Sequence, residues 1–184
     1  ALLLAAAKRL LPMSERLARG DWRPRYEGPW STQLEGGELL LLGYGAIGRH
    51  LAAYGRAFGM RVSAVRRRPG TAPELERLGT LADLPTLLPA ADAIICSLPD
   101  TEACTGVLGA AEFALMKPGA LLVNVGRGPA IDEAAFYAAL DHGPLGAAGI
   151  DTWWRYPRDL AAAAATRPGT IDPAGRANLV LSPH

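Results

Sequence analysis

The chain has 184 residues, of which 49% are hydrophobic and 20% are charged, and this composition predicts one globular domain spanning residues 1–184. Its 19 basic and 18 acidic residues give a net charge of +1, which argues against nucleic acid or an anionic membrane surface as a partner. Any charge on a ligand must therefore be met by a few local residues.

Three features of the sequence predict a cytoplasmic protein. No apolar stretch reaches the roughly 18 residues that a membrane span requires. The apolar start, residues 1–7, has Lys8 and Arg9 on the wrong side for a signal peptide. The two cysteines, Cys96 and Cys104, indicate neither a disulfide framework nor a metal site, so both are expected to be free thiols.

Residues 1–37 are predicted to be a leading helix followed by an extended arm. Apolar residues at near-helical spacing predict a helix over residues 1–19, kinked or split by Pro12. Residues 20–37 lack periodicity but carry Trp22 and Trp30. Since large aromatic side chains are costly to leave in water, we expect this arm to pack on the domain itself or on a second subunit.

A glycine triplet follows the first strong apolar run, Leu39–Leu42, which is typical of a buried parallel strand. Gly43, Gly45 and Gly48 have the spacing G-x-G-x-x-G and are followed by a helix with Ile47, Leu51, Tyr54 and Phe58 on one face. In this context Gly43 permits the turn, Gly45 lets a pyrophosphate approach, and Gly48 lets helix and strand pack. The sequence therefore predicts a dinucleotide cradle, the alternative being a glycine turn with no ligand.

The remaining elements alternate between strands and helices. Apolar runs predict strands at Met60–Val65, Ala93–Leu98, Ala120–Val125, Leu145–Ile150 and Asn178–Leu181. Leucines in residues 73–90 predict one or two short helices, with at most a very short strand near Thr80, and Asp132 is a good N-cap for a helix ending near His142. Residues 160–165 are expected to form a surface helix or loop. This order predicts a Rossmann-type, doubly wound parallel sheet in three αβα layers.

Five polar residues lie at or just past the ends of the apolar runs: Arg66, Ser97, Arg127, Asp151 and His184. Ligands of open parallel sheets bind outside the carboxyl ends of the strands, so these residues are expected to face one crevice. His50 and His142 lie away from strand ends and are expected on the surface.

The end of the second strand bears on the choice of cofactor. An acidic residue commonly stands there and binds the adenine ribose, but this chain has Arg66-Arg67-Arg68. Arginines at this place favour the 2′-phosphate of NADP over NAD. The alternative is a solvated basic turn.

Several motifs together resemble the nucleotide-binding domain of the D-isomer-specific 2-hydroxyacid dehydrogenases over almost the whole chain. They are the triplet Gly43 to Gly48, Leu98-Pro99 with Thr101 and Thr105, Met116-Lys117-Pro118-Gly119, Val123-Asn124-Val125-Gly126-Arg127-Gly128, Ile131-Asp132-Glu133, Gly149-Ile150-Asp151 with Trp153, and Asn178 to His184. The chain begins at Ala1 without methionine and stops at His184, so we expect an excised segment. The family's substrate domain would be built from chain outside it.

The resemblance implies a role for each site residue. Arg127 would bind the carboxylate and carbonyl of a 2-oxo acid, Asp151 would lie by the nicotinamide, and His184 would be the acid/base. Histidine suits proton transfer near neutral pH, and arginine keeps its positive charge. The residues expected at the cofactor are Gly43, Tyr44, Gly45, Ala46, Ile47, Gly48, Arg66, Arg67, Ser97, Leu98, Pro99, Val125, Gly126, Arg127, Asp151 and His184.

Tyr156 departs from the family pattern. The family usually has a glutamate five residues after the aspartate, where it bonds to the catalytic histidine; some relatives, the formate dehydrogenases, have glutamine. Without that carboxylate, the imidazolium is expected to lose its charge partner. Tyr156 is therefore an expected modulator of the acid/base.

The leading interpretation is an NAD(P)-dependent 2-hydroxyacid dehydrogenase or 2-oxo-acid reductase that is a homodimer in its full-length form. One alternative is a nucleotide-sensing protein, similar to the corepressors of this fold, that binds cofactor and turns over little. Another is an interaction module without cofactor binding, which the intact glycine triplet disfavours. Retention of Arg127 and His184 favours the enzyme.

Overall fold

A seven-stranded, all-parallel sheet forms the centre of the computed structural model, which describes residues 1–184. The strands are β1 (Glu38–Leu42), β2 (Arg61–Val65), β3 (Arg77–Gly79), β4 (Ala93–Cys96), β5 (Ala120–Asn124), β6 (Leu145–Ile150) and β7 (Leu179–Leu181). Their order is β3-β2-β1-β4-β5-β6-β7, so the winding reverses between β1 and β4. The predicted doubly wound parallel sheet is confirmed.

Helices cover both faces of the sheet. They are α1 (Leu2–Ala7), α2 (Leu10–Ala18), α3 (Pro24–Glu27), α4 (Ala46–Ala57), α5 (Leu84–Leu87), α6 (Ala110–Ala114) and α7 (Glu133–Asp141). Alternate β1 residues point to opposite faces: Leu39 and Leu41 join the core under α1 and α4, whereas Leu40 and Leu42 join the core under α5, α6 and α7. This arrangement is the predicted three-layer αβα architecture. None of the helices has the length and apolar character needed to cross a membrane.

The leading helix is split, but not at Pro12. The break falls at Lys8 and Arg9, where Arg9 has a φ of 50°, and Pro12 is the third residue of α2. Amides of a first helical turn have no intrahelical acceptor, so proline removes no hydrogen bond at this position. The predicted break at Pro12 is therefore wrong.

The arm, residues 20–37, leaves its tryptophans in solvent. It contains the one-turn helix α3, and it buries Leu34. Trp22 and Trp30 remain 60% and 65% exposed. The arm was expected to pack either on the domain itself or on a second subunit. The structure shows that the two tryptophans do not pack on the domain.

Residues 73–90 contain the very short strand that the sequence allowed near Thr80, but Leu75 and Leu78 do not lie in a helix as predicted. Leu78 lies in β3, which pairs with β2 at Ala64, and Leu75 lies in a turn. A 3-10 turn at Leu81–Asp83 and the short helix α5 follow. The leucine spacing favoured helix, but the open edge of β2 offers backbone partners that only an extended segment can use.

The helix after the glycine turn is confirmed, and small residues form its buried face. Gly48, Ala52 and Gly55 face the sheet, and a β-carbon on Gly55 would lie 2.6 Å from Leu39 Cδ2. Helix and sheet are too close here for a large side chain. The predicted stripe of Ile47, Leu51, Tyr54 and Phe58 is therefore the outer face of α4, and all of it except the half-buried Leu51 is exposed.

The other predicted elements hold within a few residues. Asp132 caps α7, since its side chain accepts a hydrogen bond from the Ala135 amide at 2.8 Å. Strand β4 ends at Cys96, which leaves Ser97 and Leu98 beyond the strand, at the carboxyl edge of the sheet. Residues 160–165 form surface turns.

Candidate active site

The glycine turn lies where the winding of the sheet reverses, next to the end of β4. Gly43 has a φ of 106°, and a β-carbon there would lie 2.9 Å from Ser97 Oγ. A β-carbon on Gly48 would lie 2.2 Å from the Gly43 carbonyl oxygen. Glycine is thus required at both positions by the backbone and packing of the protein itself.

Gly45 differs from its two neighbours because nothing in the chain requires it to be glycine. Its φ is −96°, and a β-carbon there would meet no atom within 4 Å. It instead lines an open cavity of about 660 Å³ and precedes α4, whose first turn has no side-chain cap. Open space against uncapped helix amides is the arrangement that accepts a phosphate group, so the residues present fit the predicted dinucleotide.

Half of the residues expected at the cofactor line this one cavity: Gly43, Tyr44, Gly45, Arg66, Arg67, Ser97, Leu98 and Pro99. Ala46, Ile47 and Gly48 form the first turn of α4 beside it. Six further residues line the cavity that were not predicted at the cofactor: Thr80, Leu81, Ala82, Thr101, Ala103 and Cys104. Thr80 directly follows β3, so placing the end of the very short strand predicted near Thr80 would have identified it.

The charge lining the cavity is entirely positive. Arg66 and Arg67 are its only charged residues, and no carboxylate lies within 4.0 Å of Arg66, Arg67 or Arg68. The nearby carboxylate of Glu74 accepts a hydrogen bond from the Tyr44 hydroxyl. Burial and this carboxylate both raise the pKa of Tyr44, so the phenol stays neutral.

The arginine segment after β5 is supported by a buried asparagine. The side chain of Asn124, which is 1% exposed, accepts from the Gly126 amide at 3.1 Å and donates to the Arg127 carbonyl at 3.0 Å. Gly126 packs on the loop after β4, where a β-carbon would lie 2.6 Å from the Leu98 carbonyl oxygen. The exposed Arg127 guanidinium bonds only to the Gly126 carbonyl, at 2.7 Å, and has no carboxylate partner.

Asp151 and His184 meet after the last two strands. Asp151 Oδ2 lies 3.1 Å from His184 Nδ1. The Ser182 side chain, and then the His184 ring, hold the pKa of Asp151 below its usual range. His184 therefore has a carboxylate beside it although position 156 is tyrosine. The expected loss of a charge partner is corrected, because parallel pairing of β6 with β7 brings Asp151 at the end of β6 next to the end of β7.

Tyr156 contacts the histidine only through its ring. Its hydroxyl accepts a hydrogen bond from the Trp153 amide at 3.0 Å, within the same loop. The Tyr156 and His184 rings are 6.2 Å apart between centroids and meet edge to face at 65°. The phenol thus stabilises its loop and covers one side of the imidazole.

The five polar strand-end residues line one edge of the sheet in separate groups. Arg66 and Ser97 share the cavity, Asp151 and His184 form a pair, and Arg127 follows β5 between them. Arg66 follows β2 and His184 follows β7, five strands away, or about 24 Å at about 4.8 Å per strand. His50 and His142 are exposed and belong to neither group.

The fold and the site are those of a dinucleotide-binding domain. The parallel sheet reverses its winding between β1 and β4, and the uncapped start of α4 and the cavity along Gly45 lie at this point. The profile of the D-isomer specific 2-hydroxyacid dehydrogenase family, NAD binding domain, matches residues 1–184. The chain belongs to this family of enzymes.

Individual relatives agree with this assignment. The chain is 38% identical over 159 residues to glyoxylate/hydroxypyruvate reductase B of Erwinia tasmaniensis, covering 85% of this chain and 50% of the relative. A structure of D-2-hydroxyisocaproate dehydrogenase matches with a TM-score of 0.83 and 29% identity, over 98% of this chain and 55% of that one. A structure of D-isomer specific 2-hydroxyacid dehydrogenase from Xanthobacter autotrophicus Py2, in complex with NADPH and MES, matches with a TM-score of 0.77 and 26% identity. The match covers 100% of this chain and 70% of that one. The chain spans about half the length of the curated relatives it matches.

Proposed function

We propose that the protein containing this chain is an NAD(P)-dependent oxidoreductase that transfers a hydride between a nicotinamide and a small 2-hydroxy or 2-oxo acid. The observation that carries the proposal is the placement of the Gly45 cavity, Arg127 and the Asp151–His184 pair along one edge of the sheet. The names of the curated relatives suggest glyoxylate and hydroxypyruvate as the first substrates to test.

The chain's own residues would bind the substrate anion and move the proton. The exposed, unpaired guanidinium of Arg127 is available to bind the carboxylate and carbonyl oxygens of a 2-oxo acid. His184 donates a proton to the carbonyl oxygen during reduction and accepts it again during oxidation. When bound, the dinucleotide would supply or take up the hydride through its nicotinamide. Arg127 also balances negative charge that develops on the reacting oxygen.

We propose a preference for NADP over NAD. It is supported by the two cavity arginines, Arg66 and Arg67, which have no carboxylate partner, and by the absence of any acidic residue among the lining residues. A ribose 2′-phosphate would meet unpaired positive charge, whereas a ribose diol would meet no carboxylate acceptor.

We also propose that the protein is a homodimer. Trp22 and Trp30 of the arm and Tyr54 on the outer face of α4 are each at least 60% exposed, and no residue of α2 is buried. A two-fold contact would remove this apolar surface from water.

We expect the enzyme to work in the cytoplasm. Cys96 and Cys104 are both free thiols, a state that suits a reducing compartment. The proposed small-acid chemistry needs neither nucleic acid nor a membrane as a partner.

The alternative from another class is a nucleotide-sensing protein that binds cofactor and turns over little. The accessible Arg127 and the Asp151–His184 pair favour the enzyme, since cofactor sensing requires neither. Steady-state reduction of glyoxylate, hydroxypyruvate and pyruvate by the full-length protein separates the two. Tight dinucleotide binding without turnover of any of the three would favour the sensor. The isolated 184-residue chain should bind cofactor with little or no turnover in either case.

A further inference from the structure

Strand pairing brings Asp151 and the end of β7 together. Ile150 of β6 is in register with Leu181 of β7, and the Ser182 amide donates to the Ile150 carbonyl at 3.0 Å. The Asp151 amide donates to the Asn124 carbonyl of β5, also at 3.0 Å, so the backbone of Asp151 is held from both sides. From this position its carboxylate reaches His184 Nδ1, and it is the only carboxylate within 4.0 Å of that ring.

The hydroxyl of Tyr156 bonds within its own loop and not to His184. The Tyr156 hydroxyl accepts from the Trp153 amide, and the Trp153 indole donates to the Ser182 carbonyl at 2.8 Å. These two bonds connect the loop after β6 to the end of β7. Tyr156 therefore helps to fix the loop after β6 against the end of β7, where His184 lies, and it makes no hydrogen bond to the imidazole.

We propose that Asp151 is the positioning residue of His184, taking the place of the carboxylate that position 156 lacks. This inference rests on the proposed function for its chemical meaning. The Asp151 carboxylate accepts a hydrogen bond from Nδ1–H and so holds the ring in the tautomer that leaves Nε2 free. Nε2 is then the atom that donates the proton to the substrate oxygen, and the ring keeps its Nδ1 proton when it becomes neutral.

The first test is the tautomer of His184 in the full-length protein. The ring nitrogens of ¹⁵N-labelled histidine, observed by NMR at a pH where the imidazole is neutral, distinguish Nδ1–H from Nε2–H. Single-histidine variants assign the His184 signals. The parent should show Nδ1–H, and Asp151→Ala should move the population to Nε2–H. Asp159→Ala, an exposed carboxylate of the following loop, is the matched control and should leave the tautomer unchanged. Tyr156→Phe removes only the bond to Trp153 and should also keep Nδ1–H.

The second test is kinetic. With glyoxylate as substrate, Asp151→Ala should lower kcat at least tenfold while KM changes less than about twofold, because the ring is misplaced but Arg127 still binds the substrate. Loss through unfolding would instead lower the midpoint of thermal unfolding, which circular dichroism measures.

The outcomes separate this inference from the proposed function. A parent ring in the Nε2–H form would overturn the role of Asp151, as would an Asp151→Ala ring that keeps Nδ1–H or an unchanged kcat. If the parent reduces no 2-oxo acid, the proposed function fails, and the tautomer measurement still decides whether Asp151 sets the protonation of the ring.

Discussion

The carbonyl oxygen of Gly43 lies 2.2 Å from the point where a β-carbon on Gly48 would stand. No side chain fits in this gap, so the first turn of α4 can begin where it does only because residue 48 is glycine. Gly45, between them, faces open space. Gly43 and Gly48 are thus required by the fold, whereas Gly45 keeps the cavity open.

Gly45→Val should abolish dinucleotide binding without unfolding the protein. A β-carbon at residue 45 meets no atom of the chain within 4 Å, so the added side chain should enter the cavity where a pyrophosphate would approach. Ala53→Val adds the same two methyl groups to an exposed position of α4 and should bind normally. Calorimetric titration checks both variants, and equal affinity in Gly45→Val and parent would remove Gly45 from the binding site.

Arg66→Asp should reverse the cofactor preference. A charge-assisted contact with a 2′-phosphate is worth roughly 1.5 to 3 kcal/mol, so we expect the parent to prefer NADP about ten- to hundredfold. An aspartate would repel that phosphate and could bind ribose hydroxyls instead. Arg68→Asp makes the same charge change outside the cavity lining and is the control. A parent that binds NAD as tightly as NADP would show that the arginines form a solvated turn.

Replacing both Trp22 and Trp30 by serine should weaken the dimer of the full-length protein. Both side chains are mostly exposed, so the change costs the monomer little while it removes apolar contact area from the proposed interface. Leu160→Ser, at a position 92% exposed in a surface turn, is the control. Sedimentation velocity over a concentration series gives the dissociation constant, and an unchanged value would place the arm outside the contact.

The two thiols should differ strongly in reactivity. Burial raises the pKa of Cys96 to about 11, so at pH 8 about one thiol in a thousand is ionised. Cys104 lines the cavity and is only partly buried. Iodoacetamide should therefore label Cys104 first, and bound dinucleotide should slow that reaction. Mass spectrometry of peptides identifies the site, and rapid labelling of Cys96 in the folded chain would contradict the expectation.

Arg176→Ala should destabilise the attachment of the loop before β7 to α7. The guanidinium bonds to both Asp141 oxygens at 2.7 Å and lies 4.5 Å from the centre of the Tyr137 ring. We expect a loss of about 1–2 kcal/mol in the free energy of unfolding, since the pair is partly exposed. Arg158→Ala, an exposed arginine without a carboxylate partner, should change little.

The effect of Arg176→Ala should also depend on pH. Arg176 lowers the pKa of Asp141 in the folded state, so this ion pair stabilises the protein above the unfolded pKa of aspartate and is lost as pH falls through the lower folded value. Urea unfolding at pH 7 and at pH 3 should therefore show a smaller difference between parent and variant in acid. A difference that grows in acid would contradict this sign.

Sequence periodicity predicted the elements whose signal is local. The runs Leu39–Leu42 and Leu145–Ile150 became strands, and Asp132 caps its helix, because a buried strand or a helix start depends on the residues within it. The same reasoning failed at Leu78, where pairing with the edge of β2 decided the conformation. It also could not show that α4 would place its apolar stripe outside, since the closeness of helix and sheet determined which residues fit between them.

The sequence by itself determined that strand ends would deliver Arg66, Ser97, Arg127, Asp151 and His184 to one edge, because parallel strands share a direction. Only the tertiary structure decided which of these residues meet. The separation between two strand ends depends on their order in the sheet, and that order is a property of packing over distances that no local pattern encodes. For this reason the sequence left His184 without a carboxylate, whereas the pairing of β6 with β7 brings Asp151 to within 3.1 Å of its ring.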